Sequence, residues 1–459
     1  MITVDQALNM NRGEIRRLSS EYMNPGLVTM LTVLDFDKRF TRAEAQYMWD
    51  HEGNRYLDCL GAYGALNLGH NPPQVLETLE KVRSRPNLLQ ASLNPLAAAL
   101  AHNLASVAPG RLKHCFFCNS GAEAVEGALK LARAATGKTA IVYCHGSFHG
   151  KTLGALSVTG RKKYQAPFEP LVPGCEAVPY GDADVLQEAL KRTGAGAFIV
   201  EPIQGEGGVV VPPDGYLAKA REITSRAGAL LIVDEVQTGL GRTGTLFACE
   251  HESIEPDILC LAKSLGGGIM PVGATLATPE VWRRAYGGLN RSLLHTSTFG
   301  GNTWAMAAGL AALQAIIENN LPRTAAERGE FLMTQLRALA SRHRIIKEVR
   351  GRGLLVGIEF AQEPASVLER VAARPLEQFK EEYTASLVAG LMLNRHRIIT
   401  AYTLNNPNVI RLEPPLVVSR EDLEHVASAI GDILEKHPSF ASLALATGRS
   451  TLSGLAHRE

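Results

Sequence analysis

What the sequence lacks narrows its function first. Its 47 basic and 46 acidic residues leave a formal charge of +1 over 459 residues, so no long-range field recruits nucleic acid or an anionic lipid surface. No uncharged apolar run approaches the roughly 18 residues of a membrane span. The opening Met1-Ile2-Thr3-Val4-Asp5-Gln6 also lacks a basic segment followed by an apolar one. A cytoplasmic protein with neither membrane nor nucleic-acid partners is expected. The 7 cysteines are an odd number, and several stand in apolar runs such as Ile258-Leu259-Cys260-Leu261. That predicts buried thiols in a reducing compartment. With 23 prolines and 43 glycines the chain is far from disordered or collagen-like composition. No repeat of fixed period is present.

What remains is a chain with 46% apolar residues, long enough for two or three domains with sizeable cores. Short β-branched runs alternate with helical patterns through its middle: Ala140–Cys144, Ala197–Val200, Ala229–Val233, Asp257–Leu261 and Pro271–Ala277. This pattern predicts a mostly parallel sheet covered by helices. Crossover helices are expected over Val185–Leu190 and Tyr216–Ala227, the second ended by Gly228. Before this region, Glu14–Leu18 is basic and amphipathic, and Tyr47–Leu57 reads as a hairpin turning at Glu52-Gly53-Asn54. After it come a long helix, a strand-like run Gly351–Phe360, an inserted segment Gln362–Arg395 with an amphipathic helix at Phe379–Met392, and a strand near Val409–Leu412. The boundaries predicted are 1–60 for the first part of a small α+β domain, 61–325 for the large domain, 326–437 for the rest of the small one, and 438–459 for a tail lying loosely on the surface.

Four segments carry chemistry. In His114–Glu123 a strand runs into a helix start, where Ser120 and Glu123 have the spacing of a capping box. The small residues Ser120, Gly121 and Ala122 leave first-turn N–H groups bare for a phosphate, although a capped helix without a ligand has the same signature. In Leu230–Gly239 an apolar strand delivers Asp234 at its carboxyl end, where open parallel sheets bind ligands. Such a carboxylate needs a cation, and a pyridinium nitrogen would serve as well as a neighbouring helix start. Lys263 follows the apolar run Asp257–Ala262 and precedes Gly266-Gly267-Gly268. Desolvation there favours a free amine able to attack a carbonyl, and a surface lysine would leave the glycines unexplained. Phe148 and His149, after another strand, are able to stack on a flat heterocycle or simply to fill the core. The Cys115/Cys118 pair has no second ligand pair at zinc spacing, and Gly146 and Gly150 argue against the helix that would bring His145 and His149 together, so no metal is expected.

Together the segments resemble the class III (ornithine/ω-amino acid) aminotransferases, pyridoxal-phosphate enzymes of fold type I, from about residue 25 to 435. The runs Phe116–Gly121, Phe148–Lys151, Glu201–Gly208, Asp257–Lys263 and Thr298–Asn302 look most like bacterial putrescine aminotransferases. The stretch Ile398–Asn406 is also similar to amine-forming aminotransferases of prodigiosin-type pathways. The resemblance implies that Lys263 binds the cofactor aldehyde as an imine and later shuttles a proton, while Asp234 pairs with the ring nitrogen. It further implies Gln237 on the ring hydroxyl, Phe148 stacked on the ring with His149 and Glu201 beside it, and Ser120, Gly121 and Ala122 on the phosphate. Thr298 would reach the phosphate of a neighbouring subunit, implying a homodimer or dimer of dimers with shared sites. On the substrate side it implies Arg411 for the keto acid's carboxylate, Glu206 to neutralise that arginine, and Tyr63.

The implied reaction is a two-step transfer from a terminal amine, with putrescine or cadaverine leading, to 2-oxoglutarate or pyruvate. Ornithine, acetylornithine or a longer biosynthetic aldehyde are the alternatives. Two departures bear on the amine: Lys151 stands where ornithine-type enzymes commonly have Arg, and segment 362–395 has no counterpart in the shorter putrescine enzymes. Asp234 and Lys263 would equally serve a pyridoxal-phosphate decarboxylase or an intramolecular amino transfer, whereas a silent binding protein has no use for Lys263. A rival from another class is an NAD oxidoreductase, because Gly239-Leu240-Gly241-Arg242-Thr243-Gly244 fits GxGxxG. That motif must open a long helix, and Glu255-Pro256 follows too soon.

Overall fold

The computed structural model describes residues 1–89, 91–361, 374–440 and 442–446. Near the N-terminus, β1 (Phe40–Glu44), β2 (Tyr47–Asp50) and β3 (Arg55–Asp58) form an antiparallel meander, with Tyr47 opposite Leu57 as the hairpin pattern requires. The central sheet is built from β4 (His114–Cys118), β5 (Ile141–Cys144), β6 (Cys175–Val178), β7 (Ala197–Val200), β8 (Leu230–Asp234), β9 (Ile258–Leu261) and β10 (Gly273–Ala277). Its order is β4-β10-β9-β8-β7-β5-β6. The strands β9-β8-β7-β5-β6 run parallel, and β10 runs antiparallel to both β9 and β4.

The inner strands β5, β7 and β9 are buried along their whole length, which is why they read as unbroken apolar runs rather than as alternation. Period-2 alternation is visible instead on β4: Cys115 and Phe117 pack toward one core and Phe116 and Cys118 toward the other. The Cys-x-x-Cys pair is thereby split between the two faces of the sheet. Helices Ala183–Thr193 and Tyr216–Ala227 are crossovers, each ended by a glycine in the left-handed region, Gly194 and Gly228.

The two ends of the chain meet beside this sheet. A second antiparallel sheet has the order β11-β12-β15-β14, from β11 (Ile346–Arg352), β12 (Leu355–Phe360), β14 (Ala401–Tyr402) and β15 (Val409–Leu412). Between them β13 (Ile398–Ile399) pairs in parallel with β3, placing Ile398 opposite Leu57. The backbone of Glu413 also donates to the Cys59 carbonyl at 2.7 Å.

Two expectations are corrected here, the strand after Gly351 and the loose tail, while the inserted helix is present and longer than expected. The run Gly351–Phe360 is not one strand; Gly351 and Gly353, at φ +144° and +56°, end β11 and turn it into β12. The amphipathic run Phe379–Met392 lies within a longer helix, Arg374–His396, while residues 362–373 of the inserted segment fall outside the described residues. The tail does not start loosely: Phe440, Leu443 and Ala446 are buried, because their spacing presents one apolar face to the core. Residues 447–459 fall outside the described residues. Among the described residues, no helix is long and apolar enough to cross a membrane.

Candidate active site

The carboxyl ends of β5, β7, β8 and β9 converge on one cavity of about 220 Å³. It is lined by Gly121, Ala122, Phe148, His149, Gly150, Glu201, Glu206, Asp234, Val236, Gln237 and Lys263. Nine of the thirteen residues marked by sequence therefore line one cavity, and the parallel sheet accounts for Phe148, His149, Glu201, Asp234 and Lys263 among them: adjacent strands that end together deliver their next residues to the same edge.

Asp234 is the last residue of β8 and is buried. One carboxylate oxygen accepts the Val236 N–H at 3.0 Å, and the other lies 2.7 Å from Nδ1 of the buried His149. The His149 Nε2 has no partner. Glu201, immediately after β7, accepts the Phe148 N–H at 2.8 Å and the Gly205 N–H at 3.3 Å. Burial, with His149 partly opposing it and Asp234 adding to it, pushes the Glu201 carboxyl up to about 7.

Lys263 follows β9 by two residues and takes φ +48°. This left-handed conformation costs a side chain roughly 1–2 kcal/mol, a strain typical of functional positions. Burial lowers the ammonium pKa, against the opposing pull of Glu413, Glu206 and Asp234. A desolvated amine in a cavity is a nucleophile in waiting.

At the far end of the cavity stands the first turn of helix Gly121–Thr136. A β-carbon at Gly121 would meet Val236 Cγ1 at 2.7 Å, and one at Gly150, whose φ is +128°, would meet the Ala122 β-carbon at 2.7 Å. Only glycine keeps this cradle open. Ser120 is the N-cap, its hydroxyl accepting the Glu123 N–H at 3.2 Å. The expected capping box is only half made, because the Glu123 carboxylate bonds the N–H of Asn119 instead of Ser120. Ser120 is exposed at the rim and does not line the cavity.

The other wall comes from distant parts of the chain. Arg411, on β15, is fully buried, with Nη1 donating to Glu206 at 2.7 Å. Burial would raise Glu206, but Arg411 and the Leu404 N–H at 2.8 Å hold it below the ordinary carboxylate range. The Tyr63 ring lies 5.2 Å from the Arg411 guanidinium, and the Tyr63 carbonyl accepts from Gln237 Nε2 at 3.1 Å. Thr298 is exposed, in a segment that does not reach the cavity within the chain.

Three participants were not marked by sequence. Val236 and Gly150 line the cavity, and their signal was their adjacency to Asp234 and His149. Glu413 is fully buried beside Arg411, and the only hint was its spacing of two on a strand. The GxGxxG run opens no long helix; it is a turn followed by a short 3-10 helix at Ala248–Glu252. Its Arg242 is fully buried and donates to the carbonyls of Leu354 and Pro414 and to Asn67.

A lysine, a carboxylate and a helix start are gathered around one cavity at strand ends, an arrangement with room for a flat ring between an amine, an acid and bare N–H groups. The class III aminotransferase family model matches residues 34–434, and the chain belongs to that family. An ornithine aminotransferase from Toxoplasma gondii is 30% identical with a TM-score of 0.81, over 99% of this chain and 98% of that one. An acetylornithine aminotransferase from Elizabethkingia anophelis is 31% identical with a TM-score of 0.75, over 93% and 100%. An (S)-enantioselective omega-transaminase from Thermomicrobium roseum is 29% identical with a TM-score of 0.80, over 93% and 98%. This protein is thus a pyridoxal-phosphate-dependent aminotransferase, and the glycine cradle, the buried Asp234 and the half-buried Lys263 fit that cofactor.

Proposed function

We propose that the enzyme takes the amino group of a terminal amine without an α-carboxylate, such as putrescine or cadaverine, and gives it to a keto acid such as 2-oxoglutarate or pyruvate. The observation that carries this reading is the buried Arg411–Glu206 pair at 2.7 Å, with Glu206 on the cavity surface and Arg411 behind it. A cationic amine meets the Glu206 carboxylate. A keto acid must draw Glu206 aside to reach the guanidinium, whose Nη2 is buried without a partner.

When bound, pyridoxal phosphate supplies an aldehyde that takes up the amino group and a ring that accepts the electrons released at the substrate carbon. Lys263 provides the amine that holds the cofactor and carries the proton to and from that carbon. Asp234, oriented by Val236 N–H and His149, holds a proton on the ring nitrogen. Gly121 and Ala122 offer first-turn N–H groups to the phosphate. Phe148, whose backbone Glu201 anchors, would cover the ring, and Gln237 would reach the ring hydroxyl. The exposed Thr298 supports a homodimer, or a dimer of dimers, in which it completes the neighbour's site. A cytoplasmic location agrees with the seven free thiols.

Ornithine or acetylornithine is the second reading, favoured by the names of two similar structures. An amine panel with one fixed acceptor decides between them. Preference for putrescine or cadaverine supports the first; a strong preference for ornithine over both diamines removes it.

A further inference from the structure

Glu413 has so far been given only its pull on the Lys263 ammonium, yet it is fully buried against Arg411, the cation of the substrate wall. We propose that Glu413 is an immobile counter-charge that sets how strongly Arg411 binds a carboxylate, and so positions the enzyme between amine and acceptor. The inference rests on reading Arg411 as the acceptor's carboxylate site.

Arg411 and Glu413 are two residues apart at the end of β15, so their side chains leave the same face of the strand. Glu413 Oε2 lies 3.2 Å from Arg411 Nε and 3.4 Å from Gln237 Nε2. Its Oε1 is buried with no hydrogen-bond partner among the described residues, and Arg411 Nε, although at ion-pair distance, is not aligned for a hydrogen bond. The contact is therefore one of charge rather than of fitted donors.

Nothing lets this carboxylate leave. Its backbone N–H is bonded to Cys59, and the turn Gly61-Ala62-Tyr63-Gly64 is pressed against it. All four residues of that turn have positive φ, at 55°, 48°, 59° and 83°. A β-carbon at Gly61 would lie 2.3 Å from the Glu413 carbonyl oxygen, and one at Gly64 would lie 2.4 Å from Oε1. Two non-glycine residues, Ala62 and Tyr63, are thus held in the left-handed region where the chain packs onto Glu413.

Glu206 and Glu413 consequently differ in kind. Glu206 lines the cavity, within reach of a substrate, whereas Glu413 is sealed. With Glu206 in place, two carboxylates face one guanidinium and the trio carries a net negative charge, which suits a cationic amine. With Glu206 displaced, Arg411 still carries a compensating charge at its Nε edge, so an incoming carboxylate meets a weakened cation and a like charge behind it. The competing explanation is that Glu413 balances the second buried guanidinium, Arg242. The Glu413 charge does pull Arg242 upward against its burial, but Arg242 directs its bonds to Leu354, Pro414 and Asn67, whereas Glu413 is at ion-pair distance from Arg411, so Glu413→Gln acts first on Arg411.

The test is Glu413→Gln in the holoenzyme, with each half-reaction followed by stopped-flow absorbance and the melting temperature recorded. The expected result is a threefold to thirtyfold fall in KM for the keto acid and a severalfold rise in KM for the diamine, two shifts of opposite sign. Glu413→Asp, which withdraws the charge by one methylene, shifts both constants the same way by less, and serves alone if the Gln variant does not fold. A purely structural residue would lower the melting temperature and slow both halves together. That outcome, or no change in either KM, overturns the proposal. Arg411→Lys run alongside separates the two levels: loss confined to the acceptor half with a silent Glu413→Gln removes Glu413 alone. Equal losses in both halves of Arg411→Lys remove the reading beneath it and the proposal together.

Discussion

The two walls of the cavity are built on different principles. The cofactor wall, with Phe148, His149, Glu201, Asp234 and Lys263, stands on the ends of neighbouring strands of one sheet, and each residue follows its own apolar run. The substrate wall joins Tyr63, Glu206, Gln237, Arg411 and Glu413, whose contacts span sequence separations of 174, 176 and 205 residues. One wall is local sheet geometry repeated; the other depends on the chain's ends closing over the sheet. A pocket whose chemistry is common to a family and whose substrate choice varies would be expected to divide this way.

The largest effect that would sharpen the contrast is Lys263→Ala. We expect loss of multiple turnovers with amine and keto acid beyond about 10³-fold, in a protein that still folds. Turnover at anything near the original rate in a steady-state assay would remove Lys263 from the chemistry.

The substrate wall should break instead through its scaffold. Gly61→Ala places a side chain at positive φ and against the Glu413 carbonyl, costing about 2–4 kcal/mol of stability from strain and overpacking. Denaturant unfolding measures it, and a change below about 1 kcal/mol would mean that the left-handed turn is not tightly packed.

A third experiment sets the cofactor wall against pH. The folded Glu201 carboxyl keeps its proton up to about 7, above the ordinary value of 4.5. Between those values the folded state holds a proton that the unfolded chain has lost, so stability falls as pH rises through the window. Glu201→Gln cannot titrate and should lack that slope, gaining on the wild type by on the order of 2–3 kcal/mol from pH 4 to pH 8. Parallel stability profiles of the two cofactor-free proteins would show that Glu201 ionises normally.

The smallest and most selective effect is expected for Arg411→Lys, which keeps the charge and loses the planar fork. Acceptor binding should weaken by about 1.5–3 kcal/mol, roughly tenfold to a hundredfold in kcat/KM, with the amine half-reaction nearly unchanged. Stopped-flow traces of each half-reaction report it.

Legibility from sequence followed the same division. Asp234 and Lys263 could be read because burial on both faces turns β8 and β9 into unbroken apolar runs, and the first polar residues after such runs must emerge at the sheet's edge. The bare helix start at Gly121 was legible for the same reason, since capping and small residues are local features. Arg411, Glu206 and Tyr63 were placed by family resemblance, because an arginine within an apolar strand carries no local mark of its partner. Glu413 was missed: two residues past Arg411, its spacing fits a strand face of any kind.

By itself, then, the sequence determined a mostly parallel sheet, the edge where its polar residues gather, and a lysine, a carboxylate and a bare helix start at that edge, since each follows from periodicity within about ten residues, whereas their assignment to pyridoxal phosphate came from the family resemblance. Only the tertiary structure decided that β13 joins β3, that Arg242 bonds to carbonyls of the turn before β12 and of the loop after β15, and that the left-handed turn at 61–64 packs Glu413 against Arg411. Those are encounters between segments more than a hundred residues apart, chosen by packing and charge balance in a buried space, and no local pattern encodes them.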